Sequence, residues 1–518
     1  MIAISDFREV PGPYWIASSE PAAYPALETD ISVDIGIVGG GICGITSAYL
    51  LSQEGLAVAV VEADRILQGT TGHTTAKITS QHTLIYDQLT KQNGREKAQQ
   101  YAEANETAIR VIKETIEQNQ IDCDFVERPA YVYTHLEEYV NKIEREVDAA
   151  SKLGINAHYL DDIPLPFKVK AAMRFDGQAQ FHPLKYLYAL AQKATENGVR
   201  IFEQSPVVDI EEGEPHAIVT RRGPRVHAPR VIIASHFPFY DGGGLYFTRV
   251  YPERSYVVGV TIKEQFPAGM FITAEDPVRS LRSQVFSEGE LILVGGESHK
   301  TGQGKDMNTH YKNLIEFAQE HFQVKDIFYR WSTHDCMTVD KIPYVGHLTK
   351  KHPSIYVATG FGKWGFTNST ASAMILRDLI TTSKSSWLDV YDPSRFNLAS
   401  VPTFIKENAD VAKHFFIGKV VSAPAHIEQI GINEARVVDI EGERMGAYRD
   451  ETGEMHMVDL TCPHLGCELQ WNDAERTWDC PCHGSRFTYK GDIVEGPALH
   501  GLHHSEGDPN IVEPNVFK

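Results

Sequence analysis

The sequence contains few cysteines and no long apolar segment. Among its 518 residues there are seven cysteines, and four of them lie between positions 462 and 482. No run of about 18 apolar residues occurs, so no membrane-spanning helix is predicted. Residues 1–25 contain early acidic residues and no apolar core, which argues against a secretory signal and predicts a cytoplasmic protein. Clustered cysteines in such a protein indicate a metal site or catalysis rather than a disulfide scaffold.

The chain also lacks the surplus of basic residues that polyanionic partners require. Its formal net charge is −20 at pH 7, which argues against binding to nucleic acid or to anionic lipid. Its length exceeds what one compact core normally fills, so two or three domains are expected.

Residues 33–64 have the pattern of a strand–helix–strand unit. The first strand is followed by Gly39, Gly41 and Gly44 in the spacing G-x-G-x-x-G, and the second strand is followed by Glu62. In this context the glycines allow a tight turn, close approach of a pyrophosphate and packing of the helix on its strand. The acid accepts hydrogen bonds from ribose hydroxyls, which favours FAD or NAD over NADP. The pattern predicts a dinucleotide site, with a glycine turn that binds no ligand as the alternative.

The remaining patterns divide the chain into regions. Helical periodicity covers 95–118, helix-and-strand passages cover 181–210 and 354–380, and a strand is expected over 125–134. From Phe416 onward, short strands at hairpin spacing predict a small all-β module. We expect an N-terminal extension over 1–30, an α/β region over 31–397, a linker over 398–415, and the all-β module with a C-terminal tail over 416–518.

Five motifs follow one another through the α/β region. After the glycine loop come GTTGHTTAKIT at 69–79, HPLKYLYALAQKATENGVRIFEQSPV at 182–207, TVDKIPYVG at 338–346 and IYVATGFGKWGFTNS at 355–369. In this order they resemble the motifs of FAD-dependent amine and D-amino-acid oxidoreductases of the glycine oxidase type. The resemblance implies a Rossmann-like FAD part over about 31–80, 175–240 and 335–397, interleaved with an α+β substrate part over 81–174 and 241–334.

The same resemblance implies FAD as the cofactor. One helix N-terminus would face the electron-rich edge of the flavin, where its positive dipole stabilises the reduced anion. Besides the three glycines of the first loop and Glu62, the residues implied to bind FAD are Thr70, Thr71, Gly72, His73, Val207, Gly360, Gly362, Gly365, Phe366 and Thr367.

His73 has two interpretations. Some dehydrogenases of this family that demethylate glycine derivatives bind FAD covalently through a histidine at the matching place. That resemblance makes an 8α-histidyl FAD at His73 one interpretation. The sequence favours the other, a histidine that is hydrogen-bonded within its loop, as histidines commonly are.

One position departs from the family pattern. Many members that oxidise amino acids have an arginine three residues before the threonine of the fourth motif, where it binds the substrate carboxylate. Here that residue is Asp335, which would repel a carboxylate, so a simple amino acid is not the expected substrate. His82, His236 and His334 are candidates to face the substrate, with ordinary loop or core histidines as the alternative. No catalytic base is assigned, because the flavin itself removes the hydride.

Two short loops near the C-terminus combine cysteine with histidine. CPHLGC occupies 462–467 and CPCHGS occupies 480–485. Zinc is one candidate occupant, since cysteine and histidine form tetrahedral zinc sites. Zinc modules usually present C-x₂₋₄-C knuckles of similar spacing, however, and these loops do not have that pattern.

Both loops resemble the cluster-binding loops of Rieske proteins from bc-type complexes, which have threonine where this chain has Pro463. GPAL at 496–499 resembles the proline loop that covers the cluster in those proteins. The resemblance implies a [2Fe–2S] cluster in which two thiolates hold one iron and two imidazoles hold the other. The implied ligands are Cys462, His464, Cys480 and His483, and the implied disulfide joins Cys467 to Cys482.

The neighbours of these loops predict the potential of the cluster. Ser485 can donate a hydrogen bond to a bridging sulfide, which stabilises the reduced state. High-potential members also have a tyrosine two residues later, whose hydroxyl donates to a ligand thiolate. Here that residue is Phe487, so we expect a potential within the Rieske range of about −150 to +300 mV but below its upper end.

Together these patterns predict an enzyme. FAD would take two electrons from a C–N bond of a small amine or amino-acid derivative, or less favourably from a C–O bond. The cluster would pass them singly to an acceptor protein or quinone. Two other interpretations remain open: an electron-transfer protein in which the flavin part is a relay or docking unit, and a redox sensor without turnover.

Overall fold

The structure, a computed structural model, describes residues 11–304, 306–417, 426–440 and 442–503. It separates into two compact units, one formed by Met1–His299 and Thr309–Lys406 and the other by Lys300–Asn308 and Glu407–Lys518. We expected residues 300–308 inside the substrate part, whereas the structure groups them with the C-terminal unit. The predicted C-terminal tail beyond residue 503 lies outside the described residues. Across the described part of the chain, no helix is long and apolar enough to cross a membrane.

A six-stranded sheet forms the centre of the first unit. Five of its strands are parallel and the sixth is antiparallel. Its strands Ile35–Val38 and Val58–Val61 are buried at every position, as expected for parallel strands covered on both faces. The strand order is Arg200–Phe202, Val58–Val61, Ile35–Val38, Arg230–Ile233, Ile355–Thr359 and Tyr344–His347.

Helices and a second sheet cover this central sheet. The helix Ile42–Gln53 connects the strands Ile35–Val38 and Val58–Val61. It packs against the helix Gly365–Thr382. Apolar side chains of a four-stranded sheet share a core with Val38 and Val61. That second sheet has the order Ile31–Ser32, Arg225–Ala228, His216–Thr220 and Val207–Glu211. The predicted strand–helix–strand unit and its glycine turn are therefore confirmed.

An eight-stranded mixed sheet forms the other part of the first unit. It is built from two stretches of chain, about 130–175 and 250–338, which alternate in sequence with the FAD-type part as the resemblance implies. Its order is Val324–Thr338, Val250–Ile262, Gly289–Lys300, Arg279–Phe286, Met270–Thr273, Ala130–Thr134, Ala171–Phe175 and Ala157–Leu160.

The remaining elements of the first unit are helices and one small sheet. Apolar residues at helical spacing on Arg95–Asn119, among them Ala104, Ala108 and Ile112, are buried, which confirms the predicted helix. The small sheet has the order Lys77–Ile78, Ala179–Gln180 and Val126–Glu127. The other helices outside the C-terminal unit are Tyr14–Ala17, Tyr86–Asn93, Glu137–Lys152, Pro183–Glu196, Asn308–His321 and Leu388–Tyr391, with 3₁₀ turns at Thr70–His73, Tyr246–Thr248 and Leu398–Ser400.

Two local predictions differ from the structure. The single strand expected over 125–134 is two strands, Val126–Glu127 and Ala130–Thr134, which belong to different sheets because Arg128 and Pro129 separate them. Residues 11–30 are irregular outside the helix Tyr14–Ala17, as expected, but they are part of the first unit rather than an extension, because Trp15 is fully buried in the main core.

The second unit contains the predicted all-β module and most of the helix Val401–Ile417. It contains two antiparallel sheets, and residues 460–469 connect them. The first has the order Glu434–Ile440, Glu443–Arg449 and Met455–Asp459, after a 3₁₀ turn at Ile427–Gln429, and the second has the order Gln470–Asn472, Thr477–Asp479, Arg486–Thr488 and Ile493–Glu495.

Candidate functional site

The first glycine loop leaves no room for a side chain at Gly39 or Gly44. Gly39 has a φ of +107°, and a Cβ there would lie 2.5 Å from the carbonyl oxygen of Ala234. A Cβ on Gly44 would collide with the carbonyl oxygen of Gly39. Gly41 is the N-cap of the helix Ile42–Gln53 and supplies no side-chain cap to its amides. The loop thus fits a pyrophosphate at a helix N-terminus, as the glycine pattern predicts.

Glu62 braces this loop from the end of the neighbouring strand. Its carboxylate accepts hydrogen bonds from the backbone N–H of Gly40 at 2.7 Å and of Asp64 at 3.1 Å. Burial raises the pKa of Glu62, and these backbone hydrogen bonds oppose the rise. Ser205 donates its backbone N–H to the Glu62 carbonyl at 2.9 Å, so the strand that begins at Val207 starts beside the acid.

The second motif forms a 3₁₀ turn, Thr70–His73, that contacts two other elements. Thr71 Oγ1 accepts from the backbone N–H of Ile42 at 3.2 Å, at the start of the dinucleotide helix. Thr70 Oγ1 donates to the His334 carbonyl at 3.0 Å. Gly72 is buried, and His73 Nδ1 lies 2.8 Å from the Gly69 carbonyl oxygen within the same turn.

Two distant residues hold this loop in place, and sequence reasoning missed both. Trp15 Nε1 donates to the Thr74 carbonyl at 2.7 Å. Arg282 is fully buried, and its Nη1 donates to the carbonyls of Thr75 at 3.0 Å and Ala76 at 2.7 Å. Burial lowers the pKa of Arg282 to about 9. Neither residue carries a local motif, since each contributes through contacts far away in sequence.

The last motif turns sharply before the helix Gly365–Thr382. Gly360 has a φ of +77°, and a Cβ there would collide with the Thr338 side chain. Gly362 has a φ of +55°, and its N–H donates to the Cys336 carbonyl at 3.0 Å. The helix that follows begins without a side-chain cap at Trp364.

The first turn of that helix packs close to the dinucleotide helix. A Cβ on Gly365 would lie 3.5 Å from Ile42 Cδ1. The Phe366 ring is buried edge-on against Phe181, so only its backbone can serve a cofactor. Thr367 Oγ1 donates to the Thr79 carbonyl at 3.0 Å. The structure therefore brings the first, second and last motifs together around two helix N-termini, which fits FAD.

His82 has a structural role beside this site. Its ring stacks on Trp364, and its nitrogens contact the Tyr101 hydroxyl at 2.7 Å and Thr367 Oγ1 at 3.1 Å. Burial lowers the pKa of His82 to about 3, so the ring stays neutral near pH 7. His236 and His334 pack edge to face, with ring centroids 5.5 Å apart.

In the second unit, the two cysteine–histidine loops have matching conformations. The N–H of Cys462 donates to the carbonyl of Cys467 at 2.8 Å, and the N–H of Cys480 donates to that of Ser485 at 2.7 Å. In each loop a glycine with a φ of about +81° then donates back to the carbonyl of the first cysteine; these glycines are Gly466 and Gly484. The two loops thus present their side chains in equivalent ways.

The four implied ligands fall into two pairs. The Cys462 and Cys480 thiols hydrogen-bond each other, which lowers the pKa of Cys462 and raises that of Cys480. The His464 and His483 rings lie with centroids 5.0 Å apart, and burial lowers the pKa of His464 to about 4, so it is neutral as a metal ligand must be. A pair of thiols and a pair of imidazoles are the ligand set of a Rieske cluster.

Residues around the ligands close the site. Cys467 and Cys482 form a disulfide, which is the pair that the resemblance implies. The Ser485 hydroxyl hydrogen-bonds the Cys462 thiol and accepts from the backbone N–H of Ala498, in the proline loop, at 3.0 Å. Phe487 is fully buried in the core behind the loops.

A buried ion pair lies at the base of the second ligand loop. Asp479 directly precedes Cys480, Arg486 directly follows Ser485, and Arg486 Nε lies 3.1 Å from Asp479 Oδ1. Sequence reasoning missed this pair, since its importance depends on burial that the local pattern does not show.

Comparisons with known proteins agree with this geometry. The model of the family described as "FAD dependent oxidoreductase" matches residues 34–379, and that described as "Rieske [2Fe-2S] domain" matches residues 421–506. The chain is 46% identical over 496 residues to the "Putative Rieske 2Fe-2S iron-sulfur protein YhfW" of Bacillus subtilis, covering 96% of this chain and 97% of that protein.

Two further relatives match the flavin-type part. The gamma-glutamylputrescine oxidoreductase of Escherichia coli is 25% identical over 397 residues, covering 71% of this chain and 88% of that protein. The crystal structure of glycine oxidase from Geobacillus kaustophilus superimposes with a TM-score of 0.60 at 20% identity, covering 70% of this chain and 99% of that chain. This structural likeness confirms the predicted glycine oxidase-like fold.

Proposed function

We propose that this chain is a dehydrogenase that oxidises a C–N bond of a small amine or amino-acid derivative. The chain belongs to the family of FAD-dependent oxidoreductases and carries a C-terminal Rieske [2Fe–2S] domain. Its cofactors are FAD in the first unit and a [2Fe–2S] cluster in the second. When bound, FAD accepts two electrons as a hydride, and a Rieske cluster transfers electrons singly to an external protein or quinone.

One observation carries the proposal: a single chain joins a glycine oxidase-like flavin fold to two buried thiols and two neighbouring imidazoles. A one-electron outlet in the same chain favours a dehydrogenase over an oxidase that gives its electrons to oxygen. Loss of electrons from a carbon next to nitrogen needs little help from side chains, which agrees with the neutral, hydrogen-bonded state of His82.

Residues of the chain would bind and orient the cofactors. The N-termini of Ile42–Gln53 and Gly365–Thr382 would supply N–H groups to the pyrophosphate and to the flavin edge. Trp15 and Arg282 would keep the second loop rigid. Cys462, His464, Cys480 and His483 would hold the cluster.

We also propose that His73 is not linked covalently to FAD. The contact of its Nδ1 with the Gly69 carbonyl oxygen supports the hydrogen-bonded interpretation of this residue. Mass spectrometry of the denatured protein tests this, because a flavin that remains attached to the polypeptide would establish the covalent link.

Anaerobic mixing of the holoprotein with a panel of amines tests the main proposal. We expect one class of amine to bleach the flavin absorbance, followed by the EPR signal of the reduced cluster. A Cys480→Ser variant should bleach at the same rate but give no cluster signal, whereas Cys123→Ala, which removes a buried cysteine of the first unit, should behave as the unaltered protein does.

Other outcomes would contradict this function. If dithionite reduces both cofactors but no amine bleaches the flavin, an electron-transfer protein or a redox sensor is the better interpretation. If amines bleach the flavin and oxygen reoxidises it at once, without the cluster signal, the chain is an oxidase.

A further inference from the structure

Asp335 lies on a strand that both proposed FAD loops contact. This strand, Val324–Thr338, is at the edge of the eight-stranded sheet, so loops can contact its outward backbone groups. Thr70 of the second motif donates to the carbonyl of His334 at 3.0 Å, and Gly362 of the last motif donates to the carbonyl of Cys336 at 3.0 Å. Asp335 is the residue between these two contacts.

The Asp335 side chain is buried with little hydrogen bonding. It is 6% exposed. Among the described residues, one hydroxyl contacts its carboxylate, that of Ser255 at 3.5 Å from Oδ2, which is the outer limit for a hydrogen bond. A buried carboxylate is energetically costly unless it is paired or hydrogen-bonded. The Asp335 carboxylate is therefore suited to binding a cation.

The charges around Asp335 do not balance. Asp335 pairs in register with Glu253 on the neighbouring antiparallel strand, so the two carboxylates lie on the same face of the sheet. Lys363, next to Gly362 in the last motif, places its Nζ 3.2 Å from Glu253 Oε2. Two carboxylates thus lie near one ammonium group. Burial raises the pKa of Asp335 to about 6 and the charge of Glu253 adds to this rise, whereas Lys363 and His334 oppose it.

We propose that Asp335 binds a cationic group of the substrate at the end away from the C–N bond that is oxidised. The cation belongs to a second group because hydride loss uses the lone pair of the reacting nitrogen, which a protonated amine lacks. The substrate is therefore a diamine, or an amine with another positive group, and has no carboxylate at this place. This inference rests on the proposed function, since it assumes an amine donor.

Titrations of the full-length holoprotein with matched probes test the inference, with the change in flavin absorbance as readout. The probes are 1,4-diaminobutane, butylamine and 4-aminobutanoate, which have similar length but end in a cation, a methyl group and a carboxylate. We expect 1,4-diaminobutane to bind about 30-fold or more tightly than 4-aminobutanoate, since removing one partner of a buried charge pair has an effect of at least this size.

Variants assign the effect to Asp335. Asp335→Asn keeps the shape of the side chain and should weaken binding of 1,4-diaminobutane by about 30-fold or more. The affinity for butylamine and the FAD content should not change. Asp326→Asn makes the same change at an exposed position of the same strand and should alter neither affinity. The probe comparison in the unaltered protein stands by itself if Asp335→Asn does not fold.

The outcomes separate this inference from the proposed function. The role of Asp335 would be overturned by equal affinity for 1,4-diaminobutane and 4-aminobutanoate. It would also be overturned by unchanged affinity for 1,4-diaminobutane in Asp335→Asn, or by the absence of a response to any probe. Diamine binding that depends on Asp335 without reduction of the flavin by any amine would leave this role standing and remove the dehydrogenase function. Flavin reduction by amines regardless of the residue at 335 would do the reverse.

Discussion

Arg486 offers a sharp test of how the second unit is held together. Its guanidinium is 4% exposed and contacts three carboxylates: Asp479 at 3.1 Å, Glu495 at 3.1 Å, and Glu475. It also donates to Thr477 Oγ1 at 3.1 Å. Because Asp479 and Arg486 flank the ligand loop CPCHGS on either side, this pair closes the base of the loop.

Replacing Arg486 with methionine keeps much of the side-chain volume but leaves the three carboxylates without their cation. Asp479 is 2% exposed, so its charge would remain buried. Breaking a buried pair in this way costs about 3–5 kcal/mol. For a domain of about 100 residues, each kcal/mol lowers Tm by about 4–8 °C, so we expect a fall of about 12 °C or more.

Differential scanning calorimetry and the visible absorbance of the cluster, both recorded on heating, measure this change. The cluster transition should shift, and the transition reported by flavin release should not. Arg436→Met is the control, because it breaks the exposed pair with Glu434 in the same unit and should have little effect. A cluster transition that moves by less than about 4 °C, or a flavin transition that moves equally, would refute the reasoning.

Two further predictions concern the cofactor sites. Gly44→Ala should lose most of the bound FAD, because the added Cβ would collide with the Gly39 carbonyl. Gly69→Ala is the control and should retain FAD, because a Cβ at that position has open space. The flavin-to-protein absorbance ratio measures the FAD content of both variants, and full FAD content in Gly44→Ala would contradict the fit. Phe487→Tyr should raise the cluster potential in an EPR-monitored redox titration by about 40 mV, which corresponds to one hydrogen bond of about 1 kcal/mol to a ligand thiolate. Tyr489→Phe, on the same stretch, should leave the potential unchanged, and an unchanged potential in Phe487→Tyr would show that the added hydroxyl does not reach a ligand.

The local patterns of the sequence determined the parts of the protein in which neighbouring residues act together. The glycine turn and Glu62 form one strand–helix–strand unit, so their spacing along the chain is enough to predict the dinucleotide loop. The same holds for the two cysteine–histidine loops, in which each conformation is closed by hydrogen bonds within six residues. Short-range geometry of this kind is encoded by residue order alone.

Contacts between distant segments decided the rest. Trp15 and Arg282 support the second FAD loop from about 60 and 200 residues away, and neither has a local signature. Asp335 stands where the resemblance implies an arginine, but its burial and its register with Glu253 depend on the pairing of two long strands. The grouping of residues 300–308 with the C-terminal unit likewise follows from tertiary contacts. Burial and charge balance are properties of the folded chain, because they depend on which segments exclude water from one another.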